Sequence, residues 1–85
     1  MAVVSVRGPL RKLAGGPQHQ VEGSTVIGVL RELERAHPGI SGWIVDERGR
    51  IRRHINVYVN GERGAESTPV GRGDRVEVLP AITGG

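Results

Sequence analysis

Catalysis needs groups that attack, shuttle protons or hold a metal, and this chain of 85 residues offers few of them. It has no cysteine, which excludes disulfides, thiolate metal ligands and a protein-borne thiol nucleophile. Its three histidines, His19, His37 and His54, fall in separate segments without ligand spacing. They read as surface or helix-end residues, and no metal site is expected. Ser5, Ser24, Ser41 and Ser67 lack the strand-to-helix setting of an activated nucleophile. Gly71-Arg72-Gly73 is too short to cradle phosphates, and Gly15-Gly16 opens no helix followed by Lys-Ser/Thr. What is left is the terminal run Leu79-Pro80-Ala81-Ile82-Thr83-Gly84-Gly85. Without a Cβ on its last residues, an extended backbone threads a channel too narrow for other side chains. The reactive group on offer is the carboxylate of Gly85, with Gly84 giving access to it. A terminal diglycine also arises by chance or as a cloning scar. Its place after a final strand and a Pro-Ala-Ile-Thr spacer gives this one weight.

The densest positive cluster is Arg48, Arg50, Arg52 and Arg53, followed by His54. It reads either as a solvated loop or as a docking patch for an acidic partner or phosphorylated ligand, where charge speeds encounter. The net charge of +3 and the sequence pI of about 10.6 raise nucleic acid as a partner. Against this, the arginines are interspersed with glutamates, and Trp43 and Tyr58 are the only aromatics available for base stacking. Nucleic acid is not expected. No apolar run has the length of a membrane span or signal-peptide core, so the expected location is cytoplasmic, with no membrane partner.

The elements that must present this terminus follow from the apolar periodicity. Val4 and Val6 share one face of a first strand that Gly8-Pro9 ends. Leu10 to Gly16 reads as a basic turn region anchored by Leu10 and Leu13. Gln18 to Glu22 returns as a short antiparallel partner. Val26, Leu30 and Leu33 mark one face of a helix over about Val26 to His37, with Thr25 as the N-cap and Pro38-Gly39 as the stop. Arg31, Glu32, Glu34 and Arg35 fall on its solvent side. Ile40, Trp43, Ile44 and Val45 are expected to pack under the helix end, with Asp46 to Arg50 an exposed loop. Ile55, Val57 and Val59 line one face of a strand closed by an Asn60-Gly61 hairpin turn, and Glu62-Arg63 begins its partner. Gly64 to Gly73 is a loop anchored at Pro69-Val70. In the last strand, Arg75 to Leu79, Val76 and Val78 face inward. The first and last strands are expected to be central neighbours in an α+β domain with the helix on one sheet face.

This order resembles the ubiquitin-like, β-grasp sulfur carriers of the MoaD/ThiS family. The residues that carry the resemblance are Thr25-Val26, Leu30 and Leu33, Pro38-Gly39, and Val57-Tyr58-Val59-Asn60-Gly61. To these is added Gly73-Asp74-Arg75-Val76-Glu77-Val78-Leu79-Pro80 leading to Gly84-Gly85. The Ile40–Arg53 crossover and the Leu79-Pro80-Ala81-Ile82 tail look most like the CysO-type branch. The resemblance implies a β-grasp domain over residues 1–80, with a mixed sheet of four to five strands and one main helix, and a flexible tail over residues 81–85. It implies a carrier rather than an enzyme. An E1-like adenylyltransferase/sulfurtransferase, using its own ATP and Mg²⁺, would turn Gly85 into an acyl-adenylate and then a thiocarboxylate; the carrier itself binds no cofactor. A sulfur-accepting synthase of the cysteine-synthase or natural-product kind would follow, with a metalloprotease releasing the product. Leu79, Pro80, Ala81, Ile82 and Thr83 would be tail contacts inside such enzymes. Tyr58 is either part of a docking sheet surface or a half-buried structural tyrosine. Two alternatives stand beside this: a ubiquitin-like modifier joined through Gly85 to lysines, and a basic nucleic-acid-binding module.

Overall fold

The computed structural model describes residues 1–80. Five strands form one mixed sheet: β1 (Ala2–Val6), β2 (Gln18–Val21), β3 (Ile55–Val59), β4 (Glu62–Arg63) and β5 (Arg75–Pro80). Their order is β2-β1-β5-β3-β4, with β1 and β5 parallel and the remaining pairs antiparallel. The expected pairing of first and last strands is therefore present, and β5 is the middle strand. Alternation explains it. Val4 and Val6 in β1, Val76 and Val78 in β5, and Ile55 and Val57 in β3 are all buried on one face, where they meet the helix.

That helix, α2 (Val26–Ala36), buries Val26, Val29, Leu30 and Leu33. The Thr25 hydroxyl accepts the Gly28 N–H at 3.1 Å, as an N-cap should. The next orphan donors, Val26 and Ile27 N–H, are taken by the carbonyls of Thr68 and Glu66 at 2.9 and 3.0 Å. The long 64–73 loop is thus pinned to the helix start, and Val70 is buried as its anchor. His37 closes the helix as C-cap, and a 3₁₀ turn, Pro38–Ile40, follows. At the β3–β4 turn both Asn60 (φ 51°) and Gly61 (φ 88°) are left-handed, the conformation a two-residue hairpin requires. The resulting β-grasp architecture is the expected one.

Three local expectations need correction. Leu10–Leu13 is a single-turn helix, α1, rather than a bare turn; Leu10 is buried beneath it and Ala14 caps it. Val59, expected inside, is only half-buried at the sheet margin. Trp43 does not pack under the helix end. Ile40, Ile44 and Val45 fill that space, and Trp43 is 51% exposed. Among the described residues every buried side chain is apolar, so any polar chemistry lies at the surface.

Candidate functional site: the sheet end at Pro80

The chain leaves the sheet at Pro80, the last described residue, which pairs with Ile55 at the start of β3. Because β1 runs parallel to β5, its C-terminal end meets the same place. The Arg7 N–H donates to the Val78 carbonyl at 3.1 Å. Gly8 follows with φ 65°, and a Cβ there would meet the Pro80 ring at 3.1 Å. Glycine at this position serves both the turn and the close approach. Three segments therefore surround the root of the tail: the end of β1, the start of β3, and β5 itself. Ala81, Ile82, Thr83, Gly84 and Gly85, the residues expected to enter partner enzymes, lie outside the described residues.

On the face turned away from the helix, Leu79 is half-buried opposite Asn56, and Tyr58 is half-buried between Glu77 and Arg63. Arg63 donates to Asn56 Oδ1 at 3.0 Å, and Arg7 reaches Glu77 at 3.3 Å. Leu79 and Tyr58 thus share an outer sheet surface bordered by hydrogen-bonded polar residues. Beside it, an open depression of about 330 Å³ is lined by Ser5, Arg7, Gly8, Arg11 and Gln18.

The arginine cluster is divided by the fold. Arg48 and Arg50 belong to a turn whose backbone N–H groups both donate to Asp46 Oδ1 at 2.9 Å. These bonds, Arg50's first, hold the Asp46 carboxyl below the usual aspartate range. Arg52 is half-buried, with its guanidinium on the Gly42 carbonyl beside Trp43. Arg53 is exposed and, with His54, leads directly into Ile55 opposite Pro80. Only the second half of the cluster lies at the tail root.

The histidines do not converge on a ligand. The rings of His19 and His37 meet at a tilt of 59° with centroids 4.4 Å apart, and His19 Nε2 is 3.0 Å from the Gly16 carbonyl. His54 stands apart on the surface. Among the described residues no group of three His, Cys, Asp or Glu is placed to hold a metal. No helix of the described residues is long and apolar enough to cross a membrane.

Sequence reasoning missed two carboxylates that shape this region. Glu34, assigned to the solvent side of α2, accepts the N–H groups of Ile44 and Val45 at 3.0 Å each through Oε2. Glu66 accepts the Ile51 N–H at 2.9 Å. Together they fasten the crossover to the helix and the loop.

Comparison with known proteins places this architecture. The chain is 36% identical to the sulfur carrier protein CysO of Mycobacterium tuberculosis over 89 aligned residues, covering 96% of each. It is 33% identical to small archaeal modifier protein 1 of Haloferax volcanii over 66 residues, 76% of each. It superposes with a TM-score of 0.87 and 36% identity on a chain of the crystal structure of the Amycolatopsis orientalis BexX/CysO complex, covering all of both chains. The relatives are named as carriers and modifiers, not as enzymes. The ThiS family model matches residues 4–85, from the first strand through the diglycine, and the chain belongs to the ThiS family.

Proposed function

We propose that this protein is a sulfur carrier whose Gly85 carboxylate is activated by an E1-like adenylating enzyme and converted to a thiocarboxylate. The observation that carries the reading is the ThiS family match over residues 4–85, diglycine included, together with 36% identity to a named sulfur carrier protein. The chemistry suits the residues. A carboxylate repels nucleophiles and has no good leaving group. Transfer of AMP from ATP, with release of pyrophosphate, makes it a mixed anhydride. Sulfide then attacks the carbonyl and AMP departs, leaving a polarisable sulfur on the terminus. The carrier contributes no catalytic group, and with no cysteine it holds no internal thiol to compete for the activated carbonyl. ATP and Mg²⁺ belong to the activating enzyme. Leu79, Pro80, Ala81, Ile82 and Thr83 are the tail contacts, and Tyr58 is the sheet-face contact. The sulfur acceptor is a synthase that makes cysteine or another sulfur-containing metabolite, with a metalloprotease releasing the product; the likeness to a named sulfur carrier supports the carrier step on which this order rests.

The test is intact-mass measurement after incubation with the adenylating enzyme encoded in the same genome, ATP, Mg²⁺ and sulfide. The expected product carries sulfur in place of one terminal oxygen. Removal of Gly84-Gly85 should abolish it. An unchanged mass, with an adenylating enzyme shown to be active, would overturn the reading. The relationship to an archaeal modifier protein favours a second outcome, isopeptide adducts between Gly85 and lysines, which tryptic mass spectrometry of cell extracts would reveal.

A further inference from the structure

The short tail limits where an enzyme that handles Gly85 can sit. Five residues lie beyond Pro80, and five extended residues span at most about 17 Å. An enzyme that brings Gly85 to a buried reactive centre must press its surface against the end of the domain around Pro80. The composition of that end is therefore a statement about the partner.

It is strongly basic. Arg7, Arg11 and Lys12 follow β1, and Arg52 and Arg53 precede β3, all at the end where β5 leaves. The one carboxylate of this end that makes an ion pair is Glu77, with Arg7. The neighbouring crossover carries one exposed carboxylate, Glu47, in the turn with Arg48 and Arg50, while the other carboxylates around it are occupied by backbone. Glu34 and Asp46 each accept two N–H groups, and Glu66 accepts one. Among the described residues the only other ion pair is Arg35 with Glu32 on the helix surface. Arg11, Lys12 and Arg53 are thus exposed cations that pair with no carboxylate of the described residues.

The same end exposes Trp43. Gly39, just after α2, lies against the Leu13 carbonyl of α1, which brings the helix end and the crossover beside the segment that follows β1. Arg52 then ties Gly42, and with it Trp43, to the start of β3. An exposed tryptophan beside an arginine has the composition of an interface anchor.

We propose that Arg11, Lys12, Arg53 and Trp43 form a basic collar around the tail root that docks on an acidic channel rim of the adenylating enzyme. The inference rests on the carrier reading for the identity of that enzyme. The cations supply long-range attraction, and Trp43 supplies a desolvated contact once the surfaces meet. The open depression beside Arg7 and Arg11 leaves room for an acidic side chain from the rim.

The experiment compares the full chain with a triple variant, Arg11→Glu, Lys12→Glu, Arg53→Glu, and with Trp43→Ala and Arg72→Glu. Arg72 adjoins Gly73, whose N–H bonds Met1 at the opposite end of the sheet, so its variant is the control. Circular dichroism melting checks that each variant is folded. Two readouts are taken: association rate with the adenylating enzyme in the absence of ATP, and thiocarboxylate formation at subsaturating carrier. At low salt the triple variant should associate about tenfold more slowly or worse, and the gap should close as salt rises. Trp43→Ala should weaken binding about tenfold at every salt concentration. Arg72→Glu should match wild type. Equal rates and equal salt slopes for wild type and triple variant overturn the collar, as does absence of binding by the wild-type chain. So does loss, in the triple variant alone, of binding to a mixed-sequence DNA duplex while its enzyme kinetics stay normal. Normal collar-dependent binding without thiocarboxylate formation would sustain the collar and refute the carrier chemistry instead.

Discussion

Glu34 shows how one side chain sets the path of a segment with little regular structure of its own. Its Oε2 accepts two successive backbone N–H groups, at Ile44 and Val45, just where the crossover turns inward to bury both residues. Those donors have no strand or helix partner, so the carboxylate replaces the ladder they lack. Glu34→Ala should cost about 1–3 kcal/mol in urea unfolding, because two partly buried donors lose their acceptor. Glu34→Gln keeps an amide oxygen for the same bonds and should cost less. Trp43, the only tryptophan, adjoins the affected backbone, so its fluorescence should report loosening in the alanine variant below the global midpoint. A fully coincident transition would show instead that Ile40 and Ile44 alone hold the crossover. None of this could be read from the chain. At helical spacing Glu34 belongs to the charged stripe with Arg31 and Arg35, and nothing local marks it as a clamp.

At the scale of elements, residue pattern carried the sheet and helix and failed where packing decides. Alternating valines named the inward faces of β1 and β5, and Val26, Leu30 and Leu33 named the helix, since burial on one face leaves a period in the sequence. Helix α1 was hidden because four residues between Pro9 and Ala14 leave no period to detect. Trp43 misled because it shares an apolar segment with Ile40 and Ile44, and only tertiary packing decides which of them faces out. Asn60-Gly61 was legible as a turn, but its full role was not. Asn60 Oδ1 accepts the Arg75 N–H at 2.9 Å while its Nδ2 donates to Asp74 Oδ1 at 3.1 Å, joining the β3–β4 turn to the start of β5. Asn60→Ala loses both bonds and places alanine at positive φ, so we expect a loss of about 1–3 kcal/mol and faster amide exchange at Arg75. Asn60→Gly relieves the backbone term and should recover part of that loss. Equal stability of the two variants would mean that the hydrogen bonds, not the φ angle, account for the effect.

For the whole molecule, the division of labour is between an apolar body and a ring of carboxylates that fasten its loops. The body was legible and the ring was not; Asp74 belongs to that ring, its Oδ2 accepting the Gly71 N–H at 2.7 Å in the turn that leads into β5. Asp46, Glu66 and Asp74 are all held below their ordinary carboxyl values. The leading causes are the N–H groups of Arg50, Ile51 and Gly71 respectively, with Asn60 adding to the effect at Asp74. A carboxyl that is more acidic when folded adds stability that is complete above its unfolded value and disappears as pH falls through its folded one. Their reference values are 4.5 for Glu66 and 3.8 for the two aspartates, so the contribution should be intact at neutral pH and decline below those values. Protonation also raises the net positive charge of an already basic chain, which adds self-repulsion in the same direction. Melting temperature should therefore be level from about pH 8 to about pH 5.5 and fall at lower pH. Asp46→Asn and Asp74→Asn should be less stable than wild type at neutral pH and should lose less on acidification, so the curves converge at low pH. Curves that stay parallel, with both variants losing as much on acidification as wild type, would show that Asp46 and Asp74 do not set the acid response.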